Sequence, residues 1–119
     1  MKERAMALCA EGENCSRAIL VAAAEEFGFS LSEEMMDSCN AISAGFGIGG
    51  MCSALVAGVM VLGILFPTEE AKQKSLLLFF KVQENWNCVD CCRLSANREN
   101  CNELIGQIAE LLEEVIREG

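Results

Sequence analysis

The sequence has no histidine, and among its 119 residues only nine are basic. The missing histidine removes histidine-ligated zinc, histidine-ligated haem and the Ser-His and Cys-His catalytic pairs together. Nine Lys and Arg against eighteen Asp and Glu leave a net charge of −9. Nucleic acid and anionic membrane surfaces are recognised by clustered basic side chains, so neither is an expected partner. No alternating apolar–polar run reads as a strand, and no segment repeats another. No export signal is expected either. Met1-Lys2-Glu3-Arg4-Ala5-Met6-Ala7 leads straight into polar Glu11-Gly12-Glu13-Asn14, with no apolar stretch or small-residue cleavage site between.

What the chain does have is sulfur, with eight Cys and six Met. At 52% hydrophobic and 23% charged residues it falls in the globular range, and its length suits one domain spanning residues 1–119. Disulfide scaffolds are loop-rich, whereas this sequence reads as helical nearly throughout. A cytoplasmic protein with reduced thiols is the expectation, and cysteines there serve a metal or a redox step more often than a framework.

The helical pattern divides the chain into about five elements. The first covers residues 3–27, with a break near Gly12 and Asn14 as the cap of the part that follows. Gly28 stops it. Ser30-Leu31-Ser32-Glu33 offers a capping box for a short second helix to about Ser43. Residues 41–67 carry no charge, and the stretch 45–66 is long enough for a bilayer. Its four leading glycines favour a loop, which reduces the helical part to residues 52–66, roughly 22 Å at 1.5 Å per residue. That is short for a span, so no membrane insertion is expected and the helix is read as a buried centre. Pro67 ends it. Thr68 caps a fourth helix to about Trp86, and Asn100-Cys101-Asn102-Glu103 opens the last one, striped by Leu104, Ile105, Ile108, Leu111, Leu112, Val115 and Ile116. The expected architecture is an all-α, single-domain bundle of about five helices around an apolar central one.

Against that frame the cysteines separate. Cys15 follows Asn14, Cys52 follows the glycine-rich turn, and Cys101 follows Asn100. Each stands at a helix start, where unpaired N–H groups and the helix dipole favour a thiolate. Cys92 closes the Cys88-Val89-Asp90-Cys91-Cys92 run and is joined to Cys101 by eight residues, enough for a loop that folds back. Cys15, Cys52, Cys92 and Cys101 are therefore the candidate site. Cys88 and Cys91 form a lone CxxC, a weaker metal candidate. Cys9 and Cys39 fall inside helices and are read as packing. The same packing role is assigned to Met35, Met36, Met51 and Met60. Gly45-x-Gly47-x-Gly49-Gly50 follows no strand, so it is no dinucleotide fingerprint, and its expected role is close backbone approach beside Cys52.

Asn14-Cys15-Ser16-Arg17-Ala18-Ile19-Leu20, with Glu25-Glu26-Phe27-Gly28, resembles the opening of the putative redox-active family C_GCAxxG_C_C. Gly45-Phe46-Gly47 followed by Cys52-Ser53-Ala54-Leu55-Val56-Ala57-Gly58 resembles its central motif. Cys92-Arg93-Leu94 and Cys101 resemble its two late cysteines. Ser53 and Ala57 stand where the family has glycine, the stretch before Cys52 is shortened, and Cys88 and Cys91 are additional. The resemblance implies a small helical protein of bacteria or archaea with a redox role.

Three chemistries suit four converging thiols: an iron–sulfur cluster for electron transfer, a dithiol/disulfide pair (Cys92 with Cys101, or Cys15 with Cys52), or a structural zinc held by four thiolates. The first two call for a redox partner protein. The alternative from another class is a structural or interaction protein with inert core cysteines, with a homodimer as one way to cover the central helix.

Overall fold

The computed structural model describes residues 1–42, 45–96 and 101–118, the side chains of Cys92 and Arg93 excepted. The fold is all-α, as the periodicity predicts, with seven helices among the described residues. Five of these are nine residues or longer, and two are short.

The first predicted element is two helices, α1 (Lys2–Ala10) and α2 (Cys15–Phe27). Gly12 separates them in the left-handed region at φ 96°. Its N–H donates to the Cys9 carbonyl at 3.0 Å, and the N–H of Glu13 donates to the Leu8 carbonyl at 3.0 Å. This pair of bonds closes a Schellman turn, which satisfies carbonyls the helix end would leave open. Asn14 then caps α2, its side chain accepting from the Ser16 N–H at 2.9 Å. Gly28, at φ 73°, ends α2.

The short third helix, α3 (Glu33–Asp37), differs from expectation at both ends. Its cap is Ser32, which accepts from the Met35 N–H at 3.1 Å, rather than Ser30. It stops at Asp37 because Ser38, Cys39 and Asn40 turn back on the helix. The Ser38 hydroxyl donates to the Met35 carbonyl at 2.6 Å, and the Cys39 N–H donates to the Met36 carbonyl at 3.2 Å. Such side chains compete for backbone groups and favour turns over continued helix. Ser43, the expected end, lies outside the described residues. Arg17 and Asn14 of α2 hold this turn, donating to the carbonyls of Met36 (3.1 Å) and Cys39 (3.2 Å).

Glycine then lets the chain fold tightly. The Gly50 N–H donates to the Gly45 carbonyl at 3.0 Å, and a Cβ on Gly45 would lie 2.4 Å from the Gly50 nitrogen. Helix α4 (Ser53–Leu65) follows, and no helix among the described residues is long and apolar enough to cross a membrane. It buries Leu55, Ala57, Val61 and Leu62 against α2 and two later helices, α5 (Thr68–Trp86) and α7 (Asn102–Arg117). Its cover is incomplete, since Ile64 on the outer face is 39% exposed.

Pro67 ends α4 and stands before α5 (Thr68–Trp86); Thr68 is the first residue of that helix rather than its cap. After α5 comes a four-residue helix, α6 (Cys91–Leu94), inside what the sequence reads as loop. The last helix, α7 (Asn102–Arg117), is strongly amphipathic and buries Leu104, Ile105, Ile108, Leu112 and Val115. Cys101 itself occupies its cap position. Asn100, the predicted cap, lies outside the described residues. Gly106 lets α1 pack closely on α7, because a Cβ there would stand 2.5 Å from the Met6 sulfur.

A buried cation fastens the far end of α7. The Lys74 Nζ donates to the carbonyls of Val115 (3.0 Å) and Glu118 (2.8 Å) and lies 4.8 Å from the centre of the Phe66 ring. The ammonium thus meets carbonyls that the helix end leaves open and which favour positive charge.

Candidate functional site

The sulfurs are brought together by a non-local pairing that no periodicity announces. Gly50-Met51-Cys52 runs antiparallel to Val89-Asp90-Cys91, with Met51 and Asp90 opposed. The Cys52 N–H donates to the Val89 carbonyl at 2.9 Å, and the Cys91 N–H donates to the Gly50 carbonyl at 2.6 Å. This clasp fixes the start of α4 beside the start of α6, and so Cys52 beside Cys91.

Cys15 at the start of α2, Cys101 at the start of α7, Cys52 and Cys91 all line one cavity of about 220 Å³. Leu94, Leu104 and Ile105 supply most of the rest of its wall. The cavity is smaller than the roughly 300–1,000 Å³ of ordinary ligand pockets. Cys15, Cys52 and Cys101 of the predicted set thus share one space. The side chain of the fourth, Cys92, lies outside the described residues, although its backbone belongs to α6. Cys91, which the sequence ranks lower, lines the cavity, while its CxxC partner Cys88 does not. Cys39 is fully buried in the core.

Sequence reasoning misses Cys9. The Schellman turn returns the chain so that Cys9, near the end of α1, comes beside Cys15 at the start of α2, and each thiol shifts the acidity of the other. Cys9 is not among the residues that line the cavity. The signal was present in Cys9-x-x-Gly12-x-Asn14-Cys15, a helix end followed at once by a helix start.

Thiol acidity does not follow helix position. The neighbouring Cys15 thiol holds the Cys9 thiol below its ordinary value, although burial and the nearby Glu13 and Cys101 oppose ionisation. Cys15, keeping its proton beside Cys9 and further desolvated, is pushed well up. Cys52 is pushed up to about 11, chiefly by burial, although the backbone N–H groups of Ala54 and Leu55 pull the other way. Desolvation therefore outweighs the helix start at Cys15 and Cys52. The expectation of activated helix-start thiols is corrected there: the first thiol to ionise in the Cys9–Cys15 pair is Cys9, at a helix end.

Among the described residues no group of three or more Cys, Asp or Glu side chains stands close enough to hold a metal ion. Cys9, Cys15, Cys39, Cys52, Cys88 and Cys91 carry free thiols.

Residues 13–115 match the model of a family described as putative redox-active protein (C_GCAxxG_C_C). The chain belongs to that family. No curated protein matches it, and no solved structure does. The C_GCAxxG_C_C match takes in Cys15, Cys52, Cys91, Cys92 and Cys101, and Cys9 lies before its start.

Proposed function

We propose that the chain is a thiol–disulfide redox protein whose cavity cysteines cycle between dithiol and disulfide. One observation carries the reading: Cys15, Cys52, Cys91 and Cys101, from four separate stretches, face one small apolar space. Disulfide formation needs only two sulfurs in reach at a time, and it releases two electrons and two protons to an external acceptor. The acceptor is a disulfide compound or a redox partner protein. A four-thiolate iron–sulfur cluster, or a zinc with the same ligation, needs three or more ligands gathered at one point, and no such group stands among the described residues. The reading extends the redox description that the family carries.

Purification without oxygen tests it. A colourless protein without stoichiometric iron, zinc or acid-labile sulfide, whose thiol count falls in pairs under a mild disulfide oxidant, is the expected result. A brown protein with iron and sulfide in fixed ratio would replace this reading with the cluster. Slow, unselective thiol labelling without pairing would leave a scaffold with inert cysteines.

A further inference from the structure

Helix α5 turns two large apolar side chains away from the core. Its buried residues are Lys74, Leu78 and Val82, while Leu76 is 58% exposed and Phe80 63%. A single exposed apolar residue needs no explanation, but these two are four apart on one face and each borders a hollow. Leu76, with Val59, Gly63, Ala71, Ser75 and Phe79, lines a groove of about 540 Å³ between α4 and α5. Nothing lies within 4 Å of where a Cβ on Gly63 would sit, so the α4 side of the groove has room for a further side chain. Phe80, with Met51, Phe79, Gln83 and Val89, lines a second hollow of about 350 Å³. Each knob stands beside a hole.

The charges around these two residues say what fills the holes. Continued by four in each direction, the row reads Lys72, Leu76, Phe80, Glu84, and both charged ends are exposed. Within the chain Lys72 pairs with Glu69 at 3.8 Å, both largely exposed, a contact weak enough to exchange. Reversed and laid against itself, the row is complementary at every position. An antiparallel copy of α5, its midpoint at Leu78, brings Leu76 against Phe80 and Lys72 against Glu84, each pairing occurring twice as a two-fold contact requires. On the same exposed face Gln73 then meets Gln83 and Glu69 meets Asn87, so no like charges are opposed. We propose that the chain forms a two-fold homodimer through α5, with Phe80 of each copy seated in the groove beside Leu76 of the other, and Leu76 in the hollow beside Phe80. The groove also reaches Val59 and Gly63, so the same contact covers the open side of the central helix α4. None of the residues lining the thiol cavity borders either hollow, so the dimer is non-covalent and independent of thiol oxidation.

Sedimentation equilibrium of the reduced full chain tests this, at about 0.15 M salt so that the net charge of −9 on each copy is screened beyond close contact. The wild type is expected at twice its chain mass. Phe80→Glu is expected at the monomer mass with its helical circular dichroism kept, since Phe80 is exposed in the single chain. Lys72→Glu and Glu84→Lys should each weaken the dimer by roughly tenfold in Kd, because two symmetric pairs become repulsive at once. The double variant Lys72→Glu/Glu84→Lys should restore it, since each copy then meets the other with the signs exchanged. A wild type that keeps the monomer mass up to about 1 mM overturns the proposal, and binding of that monomer to phosphatidylcholine vesicles through Phe80 would give the face to lipid instead. A dimer unchanged by Phe80→Glu, or a double variant no tighter than the single ones, places association on another surface and overturns it as well. Should Phe80→Glu lose its helical circular dichroism, the charge series decides alone.

Discussion

The backbone N–H of Gly12 donates to the carbonyl of Cys9 over 3.0 Å, and this bond closes the turn that brings Cys9 back to Cys15. Two cysteines six positions apart, on different helices, become partners through one left-handed glycine.

Gly12→Ala is therefore expected to disturb the pair without a clash. Nothing lies within 4 Å of where its Cβ would sit, so the cost is backbone strain alone, about 1–2 kcal/mol for a side chain in the left-handed region. Relief of that strain by opening the turn would separate Cys9 from Cys15. Thermal unfolding should fall by a few degrees, and the apparent pKa of Cys9, followed by the pH dependence of its alkylation, should rise. A fall in stability with an unchanged Cys9 titration would mean that the turn does not set the pair.

Burial of Cys52 has a consequence at alkaline pH. Its folded value, about 11, lies above the ordinary thiol value of 9.0. Between these the folded chain holds a proton that the unfolded chain has lost, so stability is present in full below pH 9 and falls as pH rises toward 11. The size is roughly 2–3 kcal/mol at about 1.4 kcal/mol per pKa unit. Denaturant unfolding of the wild type and Cys52→Ala between pH 8 and 11 checks it. The decline should be shallower in the variant, and equal slopes would contradict the assignment to Cys52.

Lys74→Met should destabilise the end of α7 by about 1–3 kcal/mol, because the carbonyls of Val115 and Glu118 lose their donor. The thiol oxidation pattern should be unchanged, since the Lys74 contacts are at the opposite end of α7 from Cys101. Unfolding in urea measures the first expectation and peptide mapping of alkylated thiols the second.

Local chemistry made much of the fold legible. Asn14, Gly28 and Pro67 mark helix ends by the backbone groups they satisfy, free or forbid, and each does so in the structure. The stripe on α7 follows from a 3.6-residue period. At α3 the competition between Ser38 and the helix backbone was not visible from spacing, so the helix is shorter than its apolar pattern.

The candidate site was legible only in part, because it depends on contacts between distant stretches. The helix starts pointed to Cys15, Cys52 and Cys101. The antiparallel clasp of residues 50–52 on 89–91 has no periodic signature, and it is this clasp that adds Cys91. Thiol acidity was misjudged for a physical reason: a helix start offers N–H groups, but desolvation of Cys52 is the larger effect. Nothing local marks the burial of Lys74 or its long-range carbonyl partners.

The most direct measurement is a disulfide map of the oxygen-free protein after limited oxidation, with every cysteine-containing peptide assigned. The account predicts that the first internal link joins two of Cys9, Cys15, Cys52, Cys91 and Cys101, while Cys39 stays reduced. A first link through Cys39, or oxidation that joins only separate molecules, would contradict it.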